Sequence, residues 1–137
     1  MKLIKPYLIF TVLVWLPWGL ICVFDTGMIA EIIGVTSTSP SGTSDLRAMY
    51  GGVQTAVGLM AALALYDTQY FRNLCFTLAL VAGCLALSRT YGLIVDGSST
   101  VYTWGVVAYE YFAAITAMMW LAWFRDADAR ERSRPQV

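Results

Sequence analysis

Apolar residues do not alternate with polar ones along this chain. They gather into four runs, at about residues 6–24, 46–66, 74–95 and 101–124, separated by short polar connections. A helix rises 1.5 Å per residue and needs ~20 mostly apolar residues to cross the hydrocarbon core of a bilayer, a length these runs reach. The period-two alternation of a membrane barrel is missing. Backbone polar groups inside lipid must be satisfied within their own segment, so runs of this kind become helices. The pattern predicts an all-α fold: one integral membrane domain over residues 1–137, a four-transmembrane-helix bundle running up-down-up-down.

The connections carry their own pattern. In the longest, Asp25 to Asp45, residues Met28, Ile29, Ile32 and Ile33 fall on one face of a short interfacial helix in the first outer loop. Thr36 to Ser44 reads as an exposed linker, with Ser44 or Asp45 capping the second span. This segment either lids the outer mouth of the bundle or rests on the headgroups. The first run follows Lys2 and Lys5 as a signal peptide would. Bulky Trp15, Pro17, Trp18 and Phe24 stand where a small-residue cleavage site would lie, so the run is expected to be a true helix, kinked at Pro17-Trp18-Gly19. Residues 125–137 are expected to form a cytoplasmic tail, a short helical extension that frays.

Charge placement orients these helices. Lys2, Lys5, Arg72, Arg125, Arg130, Arg132 and Arg134 all fall on one side of a four-span arrangement, and Asp25, Glu31, Asp45 and Asp96 lie on the other. The positive-inside rule then puts both termini in the cytoplasm. Trp104, Trp120, Trp123 and Tyr7 sit near span ends as interfacial anchors.

Composition sharpens what the chain is not. Hydrophobic residues make up 58% of its 137 positions and charged residues 13%, against about 45–50% and about 25% in soluble domains. A formal net charge of zero points away from nucleic acid. With no histidine, a haem, a zinc site or a histidine base would need another chain or unusual ligands. Cys22, Cys75 and Cys84 share no metal-binding or redox spacing and read as packing residues. No phosphate loop or nucleophile–base pair is visible, so no metal, cofactor or enzymatic activity is expected.

What remains is a set of polar residues within the runs. Arg89 stands six residues before Val95, roughly 9 Å deep; Glu110 stands nine after Val101, roughly 14 Å deep; Gln54 stands eight after Leu46, roughly 12 Å deep. An ionisable group in lipid costs at least ~2.5–3.5 kcal/mol on insertion scales, so such groups turn inward and find partners. Arg47, Gly51, Gln54 and Gly58 share one helical stripe, and Arg89, Gly92 and Asp96 share another. Small residues beside polar ones let membrane helices approach closely, which marks Gly51, Gly52, Gly58 and Gly92 as packing positions. The expected cluster is an Arg89–Glu110 ion pair, a hydrogen bond from Gln54, and a wetter Arg47–Asp96 pair, with Tyr50, Tyr91, Tyr102 and Tyr109 near enough to add hydroxyls. The cluster either fixes helix register or lines a pocket for a partly polar ligand or a proton.

The string Leu46-Arg47-Ala48-Met49-Tyr50-Gly51-Gly52, with Ser88-Arg89, Asp96-Gly97 and Glu110 after it, resembles an uncharacterised family of small four-helix bacterial membrane proteins, a domain of unknown function. A fainter similarity of layout links it to the DoxX-like four-helix superfamily, some of whose members associate with redox complexes. The resemblance implies a bacterial inner-membrane location and four helices; it implies no activity. The reading that follows is a non-catalytic accessory or assembly subunit of a larger membrane complex, partnered by membrane lipids and by other transmembrane helices, in that complex or in a homo-oligomer. An alternative is a binder or carrier of a lipid, quinone or similar hydrophobic small molecule at the outer-leaflet polar pocket. A third is a small proton-coupled transporter, for which four helices without a repeat leave little room.

Overall fold

The computed structural model describes residues 3–97 and 100–132. Lys2 and Arg134, invoked above for orientation, and the end of the expected tail, residues 133–137, lie outside the described residues. Every regular element described is helical: α1 (Ile4–Phe24), α2 (Thr26–Ile33), α3 (Pro40–Leu46), a π-helical segment (Arg47–Gly52), α4 (Val53–Tyr66), a 3₁₀ turn (Thr68–Tyr70), α5 (Phe71–Val95) and α6 (Val101–Arg132). Four continuous helical stretches are long and apolar enough to cross a membrane: Ile4–Phe24, Pro40–Tyr66, Thr68–Val95 and Val101–Arg130. The chain divides into two compact units, Met1–Phe71 and Arg72–Val137.

In the first unit α1 runs through Pro17 without a break. It buries Leu8, Thr11, Trp15, Gly19 and Cys22, a spacing of three and four that keeps one stripe turned inward. The π-helical segment and α4 meet that stripe with mostly small residues, the former burying Gly51 and the latter Val57, Gly58, Ala61 and Ala64. The two helices run antiparallel and touch backbone to backbone. A Cβ on Gly51 would stand 2.7 Å from Val23 N, and one on Gly58 would stand 2.7 Å from Leu16 N, while Gly19 lies directly against Thr55 N. Gly52, expected to pack, has open space where its side chain would be.

Between these helices the expected short helix forms as α2. Asp25 caps it by accepting from Gly27 N at 2.9 Å, and Gly34 ends it at φ +79°, a left-handed conformation that glycine adopts without strain. Ile29 is fully buried and Ile32 is exposed, so the apolar face is anchored by one residue. The second span starts earlier than its apolar run. Ser39, not Ser44 or Asp45, is the cap, accepting from Gly42 N at 3.1 Å, with Pro40 in the first turn. Proline suits that place because it has no N–H to leave unsatisfied. Much of the expected Thr36–Ser44 linker is therefore helix.

The second unit is a longer helical hairpin. Within it α5 buries Leu74, Cys75, Leu78, Ala82 and Ala86 along one stripe, and α6 buries Val107, Glu110, Ala113, Ala114 and Ala117. Contacts of Arg89 with Glu110 near one end and of Arg72 with Asp128 near the other make the helices antiparallel. α6 is 32 residues long, about 48 Å, well beyond the ~30 Å hydrocarbon core. Its last turns are the expected tail, helical through Arg132. Arg72, expected in a loop, lies in the first turn of α5 and holds Asp128 at 2.9 Å.

Candidate functional site

The second hairpin carries the one ion pair, among the described residues, that has a buried partner. Arg89 Nε donates to Glu110 Oε1 at 2.9 Å. The side chain of Glu110 is 4% exposed and that of Arg89 is 26% exposed. The sequence brings them together because each falls on the inward stripe of its own helix. Ala86 precedes Arg89 by a turn and Ala113 and Ala114 follow Glu110, so no bulky neighbour stands in the way.

Half of the pair's bonding capacity is unused. Carboxylates and guanidinium groups commonly meet through two parallel bonds. Here one bond is made, and Glu110 Oε2 is buried with no hydrogen-bond partner. A guanidinium has five N–H donors, and only Nε has a partner among the described residues. One residue further along each helix, the Thr90 and Tyr111 hydroxyls lie 3.1 Å apart, and Thr90 Oγ1 also donates to Ala86 O at 2.7 Å. Tyr111 was not among the tyrosines expected here; its place four residues after Val107 and three before Ala114 was the available signal. Thr90 and Tyr111 line an open groove of about 440 Å³ with Leu93, Ile94, Trp104, Val107 and Ala108.

The other expected members behave differently. Arg47 finds its partner inside the first unit: Nη1 donates to Val23 O, one of the terminal carbonyls of α1 that lack an intrahelical donor. The guanidinium thus caps a helix C-terminus, where positive charge is also favoured by the helix dipole. This replaces the expected Arg47–Asp96 pair. Asp96 is exposed at the end of α5, its main-chain N–H bonded to Gly92 O at 2.8 Å, and it forms no ion pair among the described residues. Gly92 meets no other helix among the described residues; a Cβ there would meet only Asp96 Oδ2, 3.3 Å away. Gln54 is half-buried on α4, its carbonyl carbon under Gly19, and its amide makes no side-chain hydrogen bond among the described residues. Tyr50 is half-buried in the π-helical segment. That segment is widened: Val53 N–H reaches back five residues to Ala48 O, a form found often at functional sites. Gly19 and Thr55 were missed, because Gly19 was read only as part of a kink.

Four bilayer-length apolar helices, one hairpin of which encloses a charge pair, define a small multi-pass membrane protein. Residues 3–121 match the model of the family described as Domain of unknown function (DUF4345), and the chain belongs to that family. No curated protein and no solved structure matches it.

Proposed function

We propose that the protein is a non-catalytic inner-membrane protein of bacteria, with both termini cytoplasmic, that binds or carries a small amphiphile at the Arg89–Glu110 pair. One observation carries this reading: Glu110 Oε2 is buried without a hydrogen-bond partner beside a guanidinium bonded only through Nε. A pair serving register alone would gain by closing its second bond, since an unmet buried acceptor costs about 1–3 kcal/mol. An open acceptor next to open donors is a place for a ligand's polar head. Native mass spectrometry of the gently extracted protein tests this. A small molecule should accompany the wild type and be lost from an Arg89→Met/Glu110→Met variant; a wild type free of any small molecule counts against the reading.

A second reading, an accessory or assembly subunit of a larger membrane complex or a homo-oligomer, is favoured by the outer faces of both hairpins. Leu13, Leu59 and Leu63 in the first unit and Leu80, Leu87 and Met119 in the second are more than half exposed, and such side chains suit lipid or further transmembrane helices. In mild detergent that subunit would co-purify with particular larger membrane proteins.

A further inference from the structure

We infer that the molecule held at Arg89 and Glu110 is a compact apolar one bearing a neutral hydroxyl, of the phenol or alcohol class, and not an anion; this rests on the ligand-binding reading above. The unmet atoms set the demand. Glu110 Oε2 is an acceptor and calls for an O–H donor. The remaining N–H groups of Arg89 call for an acceptor, which the same hydroxyl oxygen supplies through its lone pairs. One hydroxyl therefore answers both sides.

Charge excludes the anion. Between Leu80 and Ala117 the charged residues are Arg89, Asp96 and Glu110, one cation against two anions. The single guanidinium is already neutralised by Glu110 at 2.9 Å. A carboxylate or phosphate head would add negative charge in hydrocarbon with no cation left to balance it. A neutral head adds none.

Shape sets the rest of the molecule. The groove of about 440 Å³ lies beside the pair and does not include it: its lining is Leu93, Ile94, Trp104, Val107 and Ala108, with Thr90 and Tyr111, the chain neighbours of Arg89 and Glu110. Its two hydroxyls face each other at 3.1 Å and so make little polar demand of their own. The volume lies in the ~300–1,000 Å³ range of small-molecule sites. Along α6 the lining runs from Trp104 to Tyr111, about 10 Å, so the body is ring-sized and not a full acyl chain. Trp104 and Tyr111 offer aromatic faces to such a body.

The test uses three matched probes with the full chain in lipid nanodiscs: pentylphenol, its methyl ether, and pentylbenzoate. Saturable binding is read from tryptophan fluorescence. The phenol should bind about tenfold or more tighter than either of the others, the worth of a hydrogen bond to a charged group. Arg89→Met/Glu110→Met, which removes both charges together so that neither is stranded, should abolish that preference. Ala108→Trp, which fills the groove and leaves the pair intact, should weaken all three. Equal binding of phenol and ether, strongest binding of the benzoate, or a preference retained in the double variant would overturn the inference while ligand binding itself stands. No saturable binding of any probe would remove the ligand-binding reading as well.

Discussion

Arg89 and Glu110 show how far a lone residue in lipid can be read. Their depths and helical phases, taken from the sequence, placed both in one slab on inward faces, and they meet at 2.9 Å. The reason is physical: charge in hydrocarbon has few solutions, so position along a span nearly fixes the partner. Arg89→Ala should therefore destabilise the protein by ~3–5 kcal/mol through a stranded buried carboxylate, and adding Glu110→Ala should recover much of the loss. Unfolding in mixed micelles measures both, and an Arg89→Ala variant as stable as the wild type would contradict a paired interior. Arg47 was not legible in the same way. Its partner is a main-chain carbonyl, Val23 O, and a sequence does not mark which carbonyls a helix end leaves open. Arg47→Ala should cost about 1.5–3 kcal/mol, the value of a hydrogen bond made by a charged donor. Arg47→Lys should restore part of it by keeping a positive charge at the end of α1. Hydrogen exchange would report the loss as faster exchange in the last turn of α1; unchanged rates there would deny Arg47 its capping role.

Among the elements, the spans were legible as lengths of apolar chain, and their starts were not. The second span begins at Pro40 because Ser39 and Pro40 form a capping pair, whereas the polar run Ser41 to Asp45 looks like loop by composition alone. The π-helical widening at Arg47–Gly52 leaves no periodic trace either, and it alters the stripe expected from a uniform 3.6-residue turn. The glycines divide accordingly. Gly51 and Gly58 lie against α1 backbone, while Gly52, adjacent in sequence, faces open space. Close approach of α1 and α4 thus depends on Gly58, opposite the Leu16 backbone, where nothing can move aside. Gly58→Ala should destabilise the first unit by about 1–3 kcal/mol through overpacking. Gly52→Ala should be neutral, or stabilising by up to ~1 kcal/mol, as the alanine gains helix propensity without a clash. Equal effects of the two substitutions would mean that the helices are not in backbone contact.

For the whole molecule, the two hairpins hold themselves together by different means. The first relies on small residues, Gly19, Gly51 and Gly58, that bring main chains into contact. The second relies on pairs, Arg89–Glu110 within the span and Arg72–Asp128 near its far end. The latter is exposed on both partners and worth about 0–1 kcal/mol, so it sets alignment more than stability. It also puts the start of α5 beside the polar extension of α6, which joins Arg72 to the side that bears Arg125 and Arg130. Even charge on that side makes a prediction about the membrane. Positive residues near span ends stay in the cytoplasm, so Arg72, Arg125 and Arg130 should face inward, and the α2–α3 connection at Ser37 should face outward with the exposed Asp96. Single-cysteine variants Ser37→Cys and Arg130→Cys, each in a chain with the three native cysteines replaced, test this with a thiol reagent that does not cross the membrane. In intact cells Ser37→Cys should label and Arg130→Cys should not, and opening the membrane should expose the second. Labelling of Arg130→Cys in intact cells would invert the topology, turning the charge pair toward the inner leaflet and moving any ligand that reaches it to the cytoplasmic side.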